Sequence, residues 1–373
     1  MPMRIALIVP GGVDRGGRER VIPALLWLIE RLARRHTLHI FALDQEPEPC
    51  VYPLLGATVH NLGRMAVAPA LRAWRRWHMF TIGLRAAGPF DVLHGFWAAP
   101  PGLLAALAGR RLGVPSVVSL GGGELVGLPG IGYGARLRWR GRLQVALALR
   151  LAGAVTGGSR YVLAPLKERA DACWAPLGVD VARFDAPVER PAGPPWRLLH
   201  VASLNRVKDQ ETLLRALRRV VAEEPAAHLG IVGEDTLGGA VQARCAALGL
   251  DDHVTFHGFL TTKELHPLYQ RAHLHLLSSR HESQAVVVGE AAAAGVPTVG
   301  TAVGVVAELA PDRAWAVPVG DERALAEGIL TLLRDPARRA RIGCAAREWA
   351  RRYDANWTAA RFEQIYEDVM RKA

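Results

Sequence analysis

Short, wholly apolar runs alternate along the chain with longer stretches in which apolar residues recur every three or four positions. That is the pattern of buried parallel strands joined by crossover helices. Ile5–Val9 is predicted as a strand, Arg18–Arg34 as a helix and His39–Leu43 as the next strand. Asp91–His94, Ser116–Leu120 and Ala154–Thr156 continue the series, with Gly102–Leu112 as one of the intervening helices. Ala186–Pro195 is rich in proline, which fixes φ and removes a backbone donor, and reads as an extended linker. The alternation then restarts, with strands at Arg197–Val201, His228–Val232, Val254–His257, Leu274–Leu277 and Thr298–Gly300 and helices at Glu211–Ala222 and Ala240–Leu248. Two Rossmann-like α/β domains are expected, at 1–186 and 187–356, with a cleft between them and ligands beyond the carboxyl ends of the strands. A last helical stretch, 357–373, is open to packing on either domain, including a return to the first.

Composition narrows the class. The 373 residues exceed one typical domain of about 100–200, and 50% of them are hydrophobic, enough for large cores. The four cysteines, Cys50, Cys173, Cys245 and Cys344, are far apart in sequence, which argues against a zinc site, a redox motif or a disulfide framework and fits a reducing compartment. Met3-Arg4 leads into an apolar run too short for a signal peptide before Gly11-Gly12, and no run approaches the roughly 18 apolar residues of a membrane span. The expectation is a cytoplasmic protein, peripheral at most to the inner face of the membrane.

The net charge of +11 is unevenly placed. Residues 1–186 hold 23 Lys and Arg against 12 Asp and Glu, while the remainder is balanced. An acidic partner is implied for the first half. Leu71–Phe80 and Tyr133–Arg142 mix arginine with tryptophan, as segments lying on an anionic leaflet do, although an arginine-rich composition alone also produces such stretches. No nucleic-acid-binding motif accompanies them, so nucleic acid is not an expected partner.

Three strand–loop–helix segments carry candidate chemistry. In Val9–Arg20, Gly16 and Gly17 precede the first helix, where free N–H groups and the helix dipole favour an anion; a tight turn is the alternative. In Val201–Arg215, Arg206 and Lys208 set two cations beside a helix start, suited to a diphosphate or simply solvated. In Ser278–Pro297, Glu282 falls in a loop and Glu290 inside an otherwise apolar helix, Ala285–Ala294. A carboxylate there needs a partner, either an ion pair or ligand hydroxyls.

In this order and setting, the segments resemble the retaining nucleotide-sugar glycosyltransferases of the GT-B class, family 4 (glycosyl transferases group 1). The resemblance covers nearly the whole chain and includes Asp91-Val-Leu-His94, Ile231-Val-Gly-Glu234, Val254-Thr-Phe-His-Gly258 and Gly295-Val-Pro-Thr-Val. It implies that Gly16 and Gly17 offer N–H groups to the donor diphosphate. Lys208 with Arg206 would neutralise the departing nucleotide, while Glu290 holds the ribose. Glu282 and the N–H groups of Gln284 and Ala285 would grip the transferred sugar, with Gly233, Glu234 and Phe259 near the base. Transfer without a metal or other cofactor is implied, to a glycan or lipid-linked acceptor. In keeping with that, Asp251-Asp252 precedes a strand instead of lying in a donor loop.

Two departures stand out. Ser203 replaces an arginine common in relatives, and Gly121 stands where many have a histidine near the reacting sugar. Glu124 and His94 are the remaining candidates on the acceptor or sugar side. A nucleotide-sugar epimerase of similar fold and a non-catalytic nucleotide-sugar-binding protein are the alternatives.

Overall fold

The structure is a computed structural model that describes residues 2–64, 69–184 and 190–372. The chain divides into two compact units, Met1–Leu177 with Ala355–Ala373, and Gly178–Asp354. The boundary expected at 186/187 lies outside the described residues.

Unit one runs through β1 (Arg4–Val9), α1 (Pro23–Ala33), β2 (Thr37–Ala42), β3 (Cys50–Leu54), β4 (Ala57–Asn61), α2 (Pro69–Ala87) and β5 (Val92–Phe96). It continues with α3 (Leu103–Leu112), β6 (Ser116–Leu120), α4 (Trp139–Leu151), β7 (Ala154–Gly157), α5 (Arg160–Leu163) and β8 (Ala172–Trp174). Among the described residues the strands form one sheet in the order β3-β4-β2-β1-β5-β6-β7-β8, parallel except for the β3–β4 hairpin. β1, β5 and β6 are buried almost throughout, as strands covered on both faces must be. Strand order reverses between β1 and β5, which opens a crevice at their carboxyl ends.

The first helix starts later than its pattern suggested. Gly12 and Val13 bridge to Val21, Ile22 N–H donates to the Gly12 carbonyl, and Pro23, whose fixed φ suits the first turn, opens α1.

Unit two contains β9 (Trp196–Val201), α6 (Gln210–Glu223), β10 (Ala227–Val232), α7 (Ala240–Ala247), β11 (Val254–Gly258), α8 (Thr262–Arg271) and β12 (Leu274–Leu277). α9 (Val286–Ala293), β13 (Thr298–Thr301), α10 (Val306–Leu309), β14 (Trp315–Val317), α11 (Glu322–Arg334) and α12 (Pro336–Arg352) follow. Its parallel sheet has the order β11-β10-β9-β12-β13-β14, so this switch point lies between β9 and β12. The apolar stripe of α6, with Leu213 and Leu217, packs beside that of α11, with Leu325 and Ile329.

The final helix, α13 (Ala355–Lys372), returns to unit one. Phe362, Ile365, Tyr366 and Val369 enter the same core as Val92, Phe96 and Val117.

Candidate functional site

In unit two the loops that leave the adjacent strands β9 and β12 meet at the switch point. Lys208, at the end of the β9–α6 loop, donates from Nζ to Glu282 Oε1 at 2.6 Å. The same oxygen accepts from Ser279 Oγ at 2.6 Å, while Ser278 Oγ donates to the Lys208 carbonyl. Arg280 ties the loops again, through its N–H to the Val207 carbonyl and its guanidinium to buried Asp209. An ammonium carries three N–H donors, so Lys208 can hold Glu282 and an anion together.

Sequence reasoning overlooked these bracing residues, because serines and an Asn205 in a polar loop carry no signal of their own. Asn205 Oδ1 accepts from the N–H groups of Val207 and Lys208 and its amide donates to Ser203 Oγ. Ser203 thus supports the loop that carries Lys208. Arg206 is exposed on that loop.

Backbone conformation marks both helix starts. Asp209, before α6, has φ 51°, and Ala285, before α9, has φ 71°. Non-glycine residues adopt the left-handed region at a cost of about 1 kcal/mol or more, so such positions persist where the surroundings enforce them. Gln284 and Ala285 are buried beside Glu282, and the Gln284 carbonyl accepts from Val305 N–H. Glu290 lies one turn into α9, buried, and accepts from the Tyr269 hydroxyl at 2.9 Å. Burial raises its carboxyl to about 7, against a smaller lowering by the Tyr269 hydrogen bond.

Gly233 follows β10 with φ 148°, and a Cβ there would sit 2.0 Å from the Ala202 carbonyl oxygen, so only glycine lets the two loops approach. The Glu234 carbonyl accepts from Leu204 N–H, and Phe259, just after β11, is 54% exposed.

Unit one corrects three expectations. The N–H groups of Gly16 and Gly17 donate to Asp14, through its side chain and its carbonyl respectively, so they are not free. They also stand six or more residues before α1, away from its dipole. Glu124 is no open carboxylate either: it accepts from the N–H groups of Ala98, Gly121 and Gly122 and fixes the glycine turn after β6. His94 is wholly buried in mid-strand, hydrogen-bonded to Tyr366 through Nδ1 and to Ser119 through Nε2, both at 2.7 Å. Burial lowers its imidazole to about 3, so it is a neutral core group.

What fills the space above Gly121 is Trp97. Its ring atoms lie from 2.7 Å of where a Gly121 Cβ would be, and its backbone holds φ 71° directly after β5. A bulky residue in that conformation is strained, and this one stands half-buried at the switch point of unit one. Alternation gave no hint of it, because the strain arises from the turn after β5.

Among the described residues no group of three or more His, Cys, Asp or Glu side chains is placed to hold a metal ion.

Two family models match consecutive parts of the chain, "Glycosyl transferase 4-like domain" at 21–183 and "Glycosyl transferases group 1" at 183–349. The chain belongs to the GT-B glycosyltransferases of family 4. Among curated relatives, N-acetyl-alpha-D-glucosaminyl L-malate synthase of Bacillus anthracis is 30% identical over 47% of this chain and 46% of that protein. The chain thus spans about half the length of the curated relatives it matches in this way. Sucrose-phosphate synthase from Thermosynechococcus elongatus shares the fold with a TM-score of 0.81 at 20% identity, covering 99% of this chain and 100% of that one. Anabaena HepE in complex with UDP and glucose gives a TM-score of 0.75 at 18% identity, over 98% and 100% of the two chains.

Proposed function

We propose that the protein transfers a sugar from a nucleoside diphosphate sugar to a glycan or lipid-linked acceptor, with retention and without a metal ion. The Lys208–Glu282 pair, formed where strand order reverses in unit two, carries this reading. A cation and a carboxylate held together at a switch point suit a ligand that is a diphosphate at one end and a polyol at the other.

In this reading Lys208 and Arg206 neutralise the charge that develops on the diphosphate as its bond to the anomeric carbon breaks, the electrostatic role that often dominates catalysis. Glu282 and the N–H groups of Gln284 and Ala285 orient the sugar hydroxyls. Glu290, with its raised pKa, takes a ribose hydroxyl beside Tyr269, and Gly233, Glu234 and Phe259 border the base. The acceptor hydroxyl bonds to the anomeric carbon on the face the diphosphate leaves, and its proton passes to a diphosphate oxygen. The enzyme needs no nucleophile of its own. HepE, whose structure holds UDP and glucose, supports a nucleotide-sugar donor by likeness of fold.

The acceptor side belongs to unit one, with the Trp97 indole as a platform for a sugar face. Its helix α4 exposes Trp139, Leu143 and Leu147 along one stripe, flanked by exposed Arg138, Arg140 and Arg142. α2 adds exposed Leu71 and Trp74. Apolar stripes rimmed by arginine support docking on an anionic leaflet, next to a lipid-linked acceptor.

A panel of nucleoside diphosphates and nucleotide sugars in thermal unfolding tests the donor site, since a ligand of the folded state raises apparent stability. Acceptor-dependent release of the nucleotide then separates transfer from epimerisation and from binding alone. No stabilisation by any panel member sinks the reading.

A further inference from the structure

We propose that unit two carries a second ligand site, on the open face of its sheet, for an organic anion with an apolar body. A cavity of about 520 Å³ lies over β9, β10 and β11 and is walled by Leu268 and Arg271 of α8. Small-molecule pockets fall in the range of about 300–1,000 Å³. The cavity is built from residues two apart on neighbouring parallel strands, which share a face of the sheet.

Gly230 makes the hollow. It sits in mid-strand on β10, paired with Leu199 of β9 and Thr255 of β11, where glycine weakens a strand and offers nothing to pack. Its backbone is not left-handed, so no conformational need calls for glycine. A Cβ at this position would meet His257 Nε2 at 3.2 Å and Leu199 Cδ1 at 3.8 Å, both in the cavity wall. Any side chain at residue 230 therefore grows into the space a ligand would use.

The charge on the wall selects the ligand. Arg197, Arg271, His228 and His257 line the cavity, and among the described residues no carboxylate does. Leu199, Leu268 and Ala272 supply apolar wall. His228 is held by Thr255 Oγ1 at 2.8 Å. An apolar ring or chain against the leucines, with one carboxylate or phosphate toward the arginines, satisfies both surfaces. The site is separate from the switch point: Arg197 and His228 are second residues of their strands, whereas the Lys208 loop leaves the opposite end of β9.

The test titrates the full chain with 8-anilino-1-naphthalenesulfonate, an aromatic anion that brightens in an apolar site. Gly230→Val fills the cavity with a residue suited to strands, and a paired Arg197→Gln, Arg271→Gln variant removes the cations while leaving the cavity. We expect a saturable component that Gly230→Val weakens at least tenfold and that the paired variant weakens for the sulfonate while sparing uncharged N-phenyl-1-naphthylamine. Displacement by hexanoate or by hexyl phosphate identifies the preferred anionic group, and either result supports the site. A titration indifferent to Gly230→Val overturns the proposal. Should that variant fail to fold, equal losses of both probes in the paired variant, or of neither, overturn it.

Discussion

His94 Nδ1 lies 2.7 Å from the hydroxyl of Tyr366, 272 residues away in the chain, and both side chains are fully buried. This contact fastens α13 to the central strand β5, and Phe362 packs against the same imidazole with ring centroids 5.0 Å apart. His94 therefore serves the fold of unit one and is not a catalytic group.

Tyr366→Phe removes one hydroxyl and leaves a buried imidazole nitrogen without its partner, which costs about 1–3 kcal/mol. A fall in Tm of several degrees is expected, with sugar transfer per folded molecule unchanged. A variant as stable as the parent would show that the hydrogen bond does not hold α13.

Acid should destabilise the protein before carboxylates of ordinary pKa titrate. Burial lowers His94 and His275 to about 3 and His200 to about 4. A depressed histidine stabilises the fold fully above its unfolded value of about 6.5, and that contribution drains away as pH falls toward the folded value. Glu290 acts in the opposite direction. Its raised carboxyl favours the fold below about 4.5, and this gain is lost as pH climbs through about 7. Denaturant titrations from pH 8 to 5 should show stability falling with acid, more steeply in Glu290→Gln because the opposing group is gone. Identical slopes in parent and variant would contradict the assignment to Glu290.

Lys208→Ala and Glu282→Gln should each lower kcat by about 10²–10³ if they act on the departing charge and the sugar. Lys208→Ala should also weaken nucleoside diphosphate binding, whereas Glu282→Gln should spare it. Steady-state kinetics with calorimetric binding resolves the two. Full activity in either variant removes that residue from the mechanism.

Trp97→Ala deletes the ring over Gly121 and leaves the positive-φ backbone as it is, because alanine keeps the Cβ. The acceptor KM should rise at least tenfold, the donor KM should hold, and Tm should fall modestly with the lost packing of the indole. An unchanged acceptor KM excludes the stacking role.

Serine at Trp139, Leu143 and Leu147 together should abolish co-sedimentation with vesicles containing anionic lipid, without changing turnover of a soluble acceptor. Added salt should weaken binding of the parent, because Debye screening is nearly complete beyond about 10 Å at 0.1 M. Equal binding to neutral vesicles would refute the electrostatic part.

Much of the strand framework was legible because parallel strands are apolar throughout and their spacing shows in one dimension: Ser116–Leu120 and Leu274–Leu277 fall where the pattern puts them. Lys208 and Glu282 were legible as types beside helix starts, but their pairing was not, since it depends on β9 and β12 becoming neighbours. The roles expected of Gly16, Gly17 and Glu124 failed for a common reason. Backbone N–H groups seek local acceptors, and Asp14 and Glu124 supply them within a few residues. The β3–β4 hairpin escaped notice because half of β3 is exposed and Pro53 interrupts its pattern.

The return of α13 has a consequence for synthesis. Unit two is complete once Asp354 has left the ribosome, although its first residue follows nearly the whole of unit one. Unit one, translated first, lacks the core side chains Phe362, Tyr366 and Val369 until the last turns of α13 emerge. During that interval its earlier-made strands have an uncovered apolar face, so the first half to be translated is the last to close and the more exposed to chaperones and proteases.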